Sequence, residues 1–102
     1  MDELKIIWSN TAIKQRNNIF EYWNKRNKSK EYSIKLNKII YKKLDLLKTN
    51  PQIGILGDMN PYRVLYFENY SLVYKENSEN IYIAAFWDQR QNPNKSQKLL
   101  GL

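Results

Sequence analysis

Ile81-Tyr82-Ile83-Ala84-Ala85-Phe86-Trp87 runs without a break into Asp88-Gln89-Arg90-Gln91-Asn92-Pro93. An apolar run of this length, rich in β-branched and aromatic residues, predicts a buried central strand. Such a strand is a rigid base from which to project a working side chain. The acid and the base that follow it, held before a proline, make its end the first candidate site.

Working outward, two further runs precede it. Residues 62–67 and 70–75 are short, aromatic and β-branched, and are separated by Glu68-Asn69; residues 76–80 then lead into 81–87. These are the signals of an antiparallel meander. Further upstream the period changes from two to about 3.6. A helix carrying Tyr32, Leu36, Ile40, Leu44 and Leu47 on one face, with Ile39 beside them, is expected to begin near Ser29 and to stop before Asn50-Pro51. A first helix is expected after Ser9-Asn10-Thr11, any of which can cap it, with Ala12, Ile19, Phe20 and Trp23 on its buried stripe. The break at 24–28 is short enough to make the two helices an antiparallel hairpin. Residues 4–8 are a short strand candidate, and 52–61, which hold two of the three glycines, read as a crossing loop. The predicted fold is α+β, in the order β-α-α-β-β-β: an antiparallel sheet with the hairpin packed on one face and the other face left for function. A single domain over 1–102 is expected, because a chain this short cannot divide its apolar residues between two cores.

Charge is unevenly placed. The chain has 17 Lys and Arg against 10 Asp and Glu, a net +7, and residues 14–48 alone hold 11 basic against 3 acidic residues. A basic segment of this kind attracts polyanions or an acidic protein segment, or decorates a solvated helix face. There is no cysteine, which removes disulfides, thiolate metal sites and a thiol nucleophile and fits a reducing cytoplasm. The first residues lack the order of a secretory signal, and no apolar stretch approaches membrane-spanning length, so a soluble cytoplasmic protein without a membrane partner is expected. The carboxylates are scattered and histidine is absent. Neither a metal site nor a small-molecule cofactor is therefore expected.

Several fragments, in this order, carry a family resemblance: Trp8-Ser9-x-x-Ala12, Asn50-Pro51-x-x-Gly54, Tyr62-Arg63-Val64 leading to Asn69-Tyr70, and the closing Trp87-Asp88-x-Arg90-Gln91-Asn92-Pro93. Together they resemble the RelE/ParE superfamily of toxins from type II toxin–antitoxin pairs, over nearly the whole chain. The resemblance implies a small bacterial growth-inhibiting toxin of the kind that serves plasmid stabilisation, neutralised by a cognate antitoxin protein. It implies one of two targets: messenger RNA on the ribosome, cut by an mRNA interferase, or DNA gyrase, which is bound and poisoned.

Cutting RNA through its 2′-hydroxyl needs a base, cations for the phosphate and an acid for the leaving oxygen. Arg63 and Arg90 match positions where RelE-like nucleases grip the scissile phosphate, and the meander is expected to bring both to one concave, solvent-open surface. With no histidine, the nearest substitutes are Asp88 as base and Tyr66 as acid. The lysines that RelE-like enzymes carry before the second strand are missing from Gly54-Ile55-Leu56-Gly57-Asp58-Met59-Asn60, and no tyrosine follows Tyr82. Gyrase poisoning needs no such set, only a binding surface. On its two arginines the sequence favours a metal-independent endoribonuclease, with gyrase binding and a non-toxic binding module of the same fold as alternatives. Asp88 and Arg90 can also serve simply as a salt bridge that fixes the chain after the last strand.

Overall fold

The computed structural model describes residues 4–58 and 60–90. Seven elements follow one another: β1 (Lys5–Trp8), α1 (Asn10–Asn27), α2 (Glu31–Thr49), β2 (Ile55–Leu56), β3 (Arg63–Phe67), β4 (Tyr70–Glu76) and β5 (Asn80–Asp88). The helical hairpin and the meander are where the periodicities put them. Ser9 caps α1: its hydroxyl oxygen accepts from Ala12 N–H at 3.0 Å, satisfying one of the donors a helix start leaves open. α1 ends on Lys28, whose left-handed backbone (φ 52°) brings its N–H to the Asn24 carbonyl. On α2 the predicted stripe is buried at Leu36, Ile40, Leu44 and Leu47, and Ser33 joins it because its hydroxyl meets α1, 3.1 Å from the Phe20 carbonyl and 2.6 Å from Asn24 Oδ1.

The strands lie in the order β1-β5-β4-β3-β2, which makes the strand read first from the sequence an interior one. Two details refine the antiparallel sheet anticipated from the sequence. β1 joins β5 in parallel, pairing Ile6 with Ile81 and Trp8 with Ile83, so the sheet is mixed. The whole hairpin and meander separate β1 from β5, and no tight turn imposes the opposite direction. The crossing loop also contributes the two-residue edge strand β2, paired with Arg63 and Val64 of β3.

The register slips between β4 and β5: Val73 faces Ala85 while Tyr74 faces Ile83, leaving Ala84 as an extra residue. A bulge of this kind re-aims the side chains beyond it. It puts Ile81, Ile83 and Phe86 together on the hairpin side, where they pack with Leu72, Tyr74, Leu36 and Ile40 as the main core. It also frees the Ala84 carbonyl to accept from the hydroxyl of Ser9, which ties the helix cap to the sheet. The opposite face is not the open platform expected: Val64, Val73 and Trp87 are buried there, with Tyr62, Tyr66, Ala84 and Ala85 against them.

Candidate functional site

The end of β5 is held by a dense polar cluster. Asp88 pairs across the sheet with Tyr70 and its side chain is fully buried. Its Oδ1 accepts from the Arg90 backbone N–H at 2.9 Å and from Nε at 3.0 Å, and its Oδ2 accepts from Nη2 at 3.0 Å. This is the bidentate arrangement that a guanidinium and a carboxylate make best. Nη2 lies 3.0 Å from Tyr70 Oη and 3.4 Å from Tyr32 Oη, and the two phenols are 2.6 Å apart. The guanidinium carbon sits 4.7 Å from the centre of the Trp23 ring on α1 and 5.5 Å from that of Tyr70. Arg90 therefore joins the end of β5 to β4 and to both helices.

These contacts set the protonation states. The hydrogen bond to Asp88 pushes Arg90 above its usual value, so it stays a cation. Tyr70 is raised too, first by burial, then by the bond to Tyr32 and by repulsion from Tyr32 and Asp88, with Arg90 opposing. A phenol held neutral in this way serves as a structural hydrogen-bonding group.

The other candidate residues lie elsewhere. Arg63 donates from Nη1 to the carbonyls of Gly54 at 3.0 Å and Gln52 at 3.3 Å. Beside it Tyr74 Oη donates to the Pro51 carbonyl at 2.8 Å and accepts from Gly54 N–H at 2.9 Å, so the pair pins the loop after α2. Arg63 faces Tyr74 across the sheet, whereas Arg90 gathers at Tyr70, four residues along β4 and so roughly 13 Å away. The expected convergence of Arg63 and Arg90 on one hollow is not what the structure shows. The meander itself gives the reason: two reversals make β3 and β5 run the same way, and the start of one strand and the end of the other fall at opposite ends. Tyr66 pairs with Ser71 and packs against Val64 on the face away from the hairpin. Of the four candidates, only Asp88 and Arg90 are together.

Two features were not singled out from the sequence. One is the ring of Trp23, Tyr32 and Tyr70 around Arg90, for which Asn69-Tyr70 was part of a motif but carried no role. The other is the outer groove between the helices, lined by Arg16, Phe20, Lys30, Ile34, Lys38 and Tyr41. Ile34 and Tyr41 are 56% and 53% exposed and lie two turns apart, off the buried stripe of α2. Their spacing was a readable signal, since apolar residues outside a core-facing stripe ask for another partner. Among the described residues no three His, Cys, Asp or Glu side chains gather as metal ligands would, and no helix is long and apolar enough to cross a membrane.

Comparison with known proteins places this architecture. No curated protein sequence matches the chain. Among solved structures, one from the chromosomal ParDE TA system of P. aeruginosa is similar, with a TM-score of 0.71 at 17% identity, over 84% of this chain and 96% of that one. At that identity the likeness establishes the fold. The model of the family described as ParE toxin of type II toxin-antitoxin system, parDE, matches residues 6–93, from the second residue of β1 through the closing Asn92-Pro93 of the sequence. With that match spanning almost all of the described residues, the chain belongs to the ParE toxin family of type II toxin–antitoxin systems.

Proposed function

We propose that this toxin acts by binding DNA gyrase and poisoning it, without cleaving RNA, and that a cognate antitoxin holds it inactive. The observation that carries the reading is how the cleavage candidates are spent. The Asp88 carboxylate is fully buried and occupied on both oxygens by Arg90, so it has no lone pair presented to a substrate hydroxyl. Arg63 is engaged by loop carbonyls, Tyr66 lies on the far face, and the chain has no histidine to take their place. Inhibition by binding requires none of these groups. The family match supports the same direction.

For the antitoxin, the helical groove offers matched chemistry. Arg16, Lys30 and Lys38 surround the exposed Ile34 and Tyr41, which suits an acidic amphipathic segment that orders as it binds. The test of target is direct. Purified toxin is titrated into a gyrase supercoiling assay and, in parallel, into programmed ribosomes with labelled message. Loss of supercoiling with intact message is the expected result. Untouched supercoiling at saturating toxin, or message cut in the ribosomal site, overturns the gyrase reading. Growth unaffected by strong induction would point instead to a non-toxic binding module.

A further inference from the structure

Beyond its buried patch, the sheet face away from the hairpin carries an open row of side chains. Ile7 pairs with Tyr82 and Tyr82 with Lys75, while the pairing of Arg63 with Tyr74 sets Tyr62 beside Lys75. Alternation fixes the face: Ile6, Tyr74, Ile81 and Ile83 pack on the hairpin side, so the residues next to them point the other way. The row runs over β1, β5, β4 and the entry to β3, with Ile7 44% exposed and Tyr62, Lys75 and Tyr82 partly so. The Lys75 ammonium lies 5.2 Å from the centre of the Tyr62 ring and 5.4 Å from that of Tyr82. Attraction to both rings holds the cation in place without consuming its N–H donors. Among the described residues no carboxylate pairs with Lys75, and no hydrogen bond occupies its ammonium or the two phenols.

We infer that this row is a contact site for an unpaired nucleic-acid strand, in which the Lys75 ammonium takes a backbone phosphate and the tyrosines on either side meet bases. An ammonium with free donors calls for an oxyanion. Two aromatic rings set two strand spacings apart, roughly 10 Å, offer flat surface that a base can use and a bare phosphate cannot. Lys5, exposed on the same face of β1, adds a second cation in a chain of net charge +7. Sheets that read single strands do so from aromatic and basic faces of this kind. An acidic peptide is the competing occupant. A peptide gains affinity for a sheet by pairing its main chain with a free edge, whereas β5, β4 and β3 are each paired on both sides, so the centre of the row offers side chains alone.

The inference goes beyond the gyrase reading and is tested without gyrase, so its failure would leave that reading where it stands. A short labelled oligothymidylate is titrated into the free toxin at several salt concentrations. Lys75→Met keeps the apolar stem and removes the charge. It should weaken binding roughly five-fold and flatten the dependence of log K on log salt by about 0.7, the share of one single-strand phosphate. Lys42→Met, which removes an exposed cation from α2, should change affinity by less than about two-fold. Equal losses in the two variants, or no loss in Lys75→Met, overturn the proposal. In the unmodified toxin the ring signals of Tyr62 and Tyr82 should shift when the oligonucleotide is added, a readout that stands even if Lys75→Met does not fold. Shifts confined to the hairpin overturn the proposal. Poly-glutamate that moves the same ring signals as strongly as the oligonucleotide does would assign the row to an acidic protein segment and likewise overturn it.

Discussion

At the scale of single residues, Asp88 and Arg90 show how a motif that looks catalytic can serve as a fastening. The carboxylate is fully buried and the guanidinium side chain is 40% exposed, so the two partners are not equivalent. Removing the arginine orphans a buried charge, whereas an exposed pair would cost little. Arg90→Ala should therefore destabilise the fold by roughly 2–4 kcal/mol in urea unfolding, and Asp88→Asn combined with Arg90→Ala should recover part of that loss. A cost below about 1 kcal/mol for the single change would mean that the pair is only a surface contact. Tyr70 adds a dependence on pH. In the folded chain its phenol keeps its proton to higher pH than in the unfolded chain, where it ionises near pH 10. Below about pH 10 the group is neutral in both states and its contribution is complete. Above that, the unfolded chain gains by releasing a proton that the folded chain retains, so stability falls as pH rises. Tyr70→Phe should flatten the alkaline limb of the stability curve. A slope unchanged by the substitution would assign the effect to the other phenols.

At the scale of elements, the Asn50-Pro51-x-x-Gly54 fragment acquires a physical reason. Gly54 lies against Tyr74, and a Cβ placed there would come within 2.7 Å of the phenol oxygen and 2.8 Å of a ring carbon. The close approach is what lets Tyr74 bond both Pro51 and Gly54 and lets Arg63 close the loop. Gly54→Ala should cost about 1–3 kcal/mol, the usual range for forcing an extra carbon into a filled site. Backbone amide exchange in the loop before β3 should rise with it, and slow exchange there in the alanine variant would show that the loop is held by other contacts. The helical stripe was legible because one face of α2 is buried and burial writes its period into the sequence, whereas β4 and β5, buried on both faces, were legible as short aromatic and β-branched runs. The parallel pairing of β1 was not, because nothing local records which distant strand an edge strand will meet. The separation of Arg63 from Arg90 was legible in principle: counting the two reversals of the meander places them at opposite ends. Tyr66 fell on the far face through the strict alternation of β3, which also carries Val64 there.

At the scale of the molecule, positive charge and part of the exposed apolar surface, Tyr22, Ile34 and Tyr41, coincide on the helical hairpin. The hairpin holds most of the positive charge, and its outer groove sets Ile34 and Tyr41 among Arg16, Lys30 and Lys38, while the Arg90 cluster at the end of the sheet is largely satisfied from within. Ile34 and Tyr41 stand half in water two turns apart on one helix, apolar surface set among cations. If the groove is where the antitoxin docks, substitutions there should separate binding from folding. Ile34→Asp with Tyr41→Asp removes exposed side chains, so the stability of the free toxin should stay within about 0.5 kcal/mol per change. Aromatic anchors in basic surroundings contribute disproportionately to an interface, and losing this one should weaken antitoxin binding by at least 2 kcal/mol, roughly 30-fold. Added salt should slow association of the unmodified pair, because the cations around the groove act at a distance that salt screens. Titration calorimetry on the variant and stopped-flow association at two salt concentrations read these effects separately. A double variant that folds and still binds with full affinity would move the antitoxin to another face, and the long basic hairpin would then be left as the surface through which the toxin meets its target.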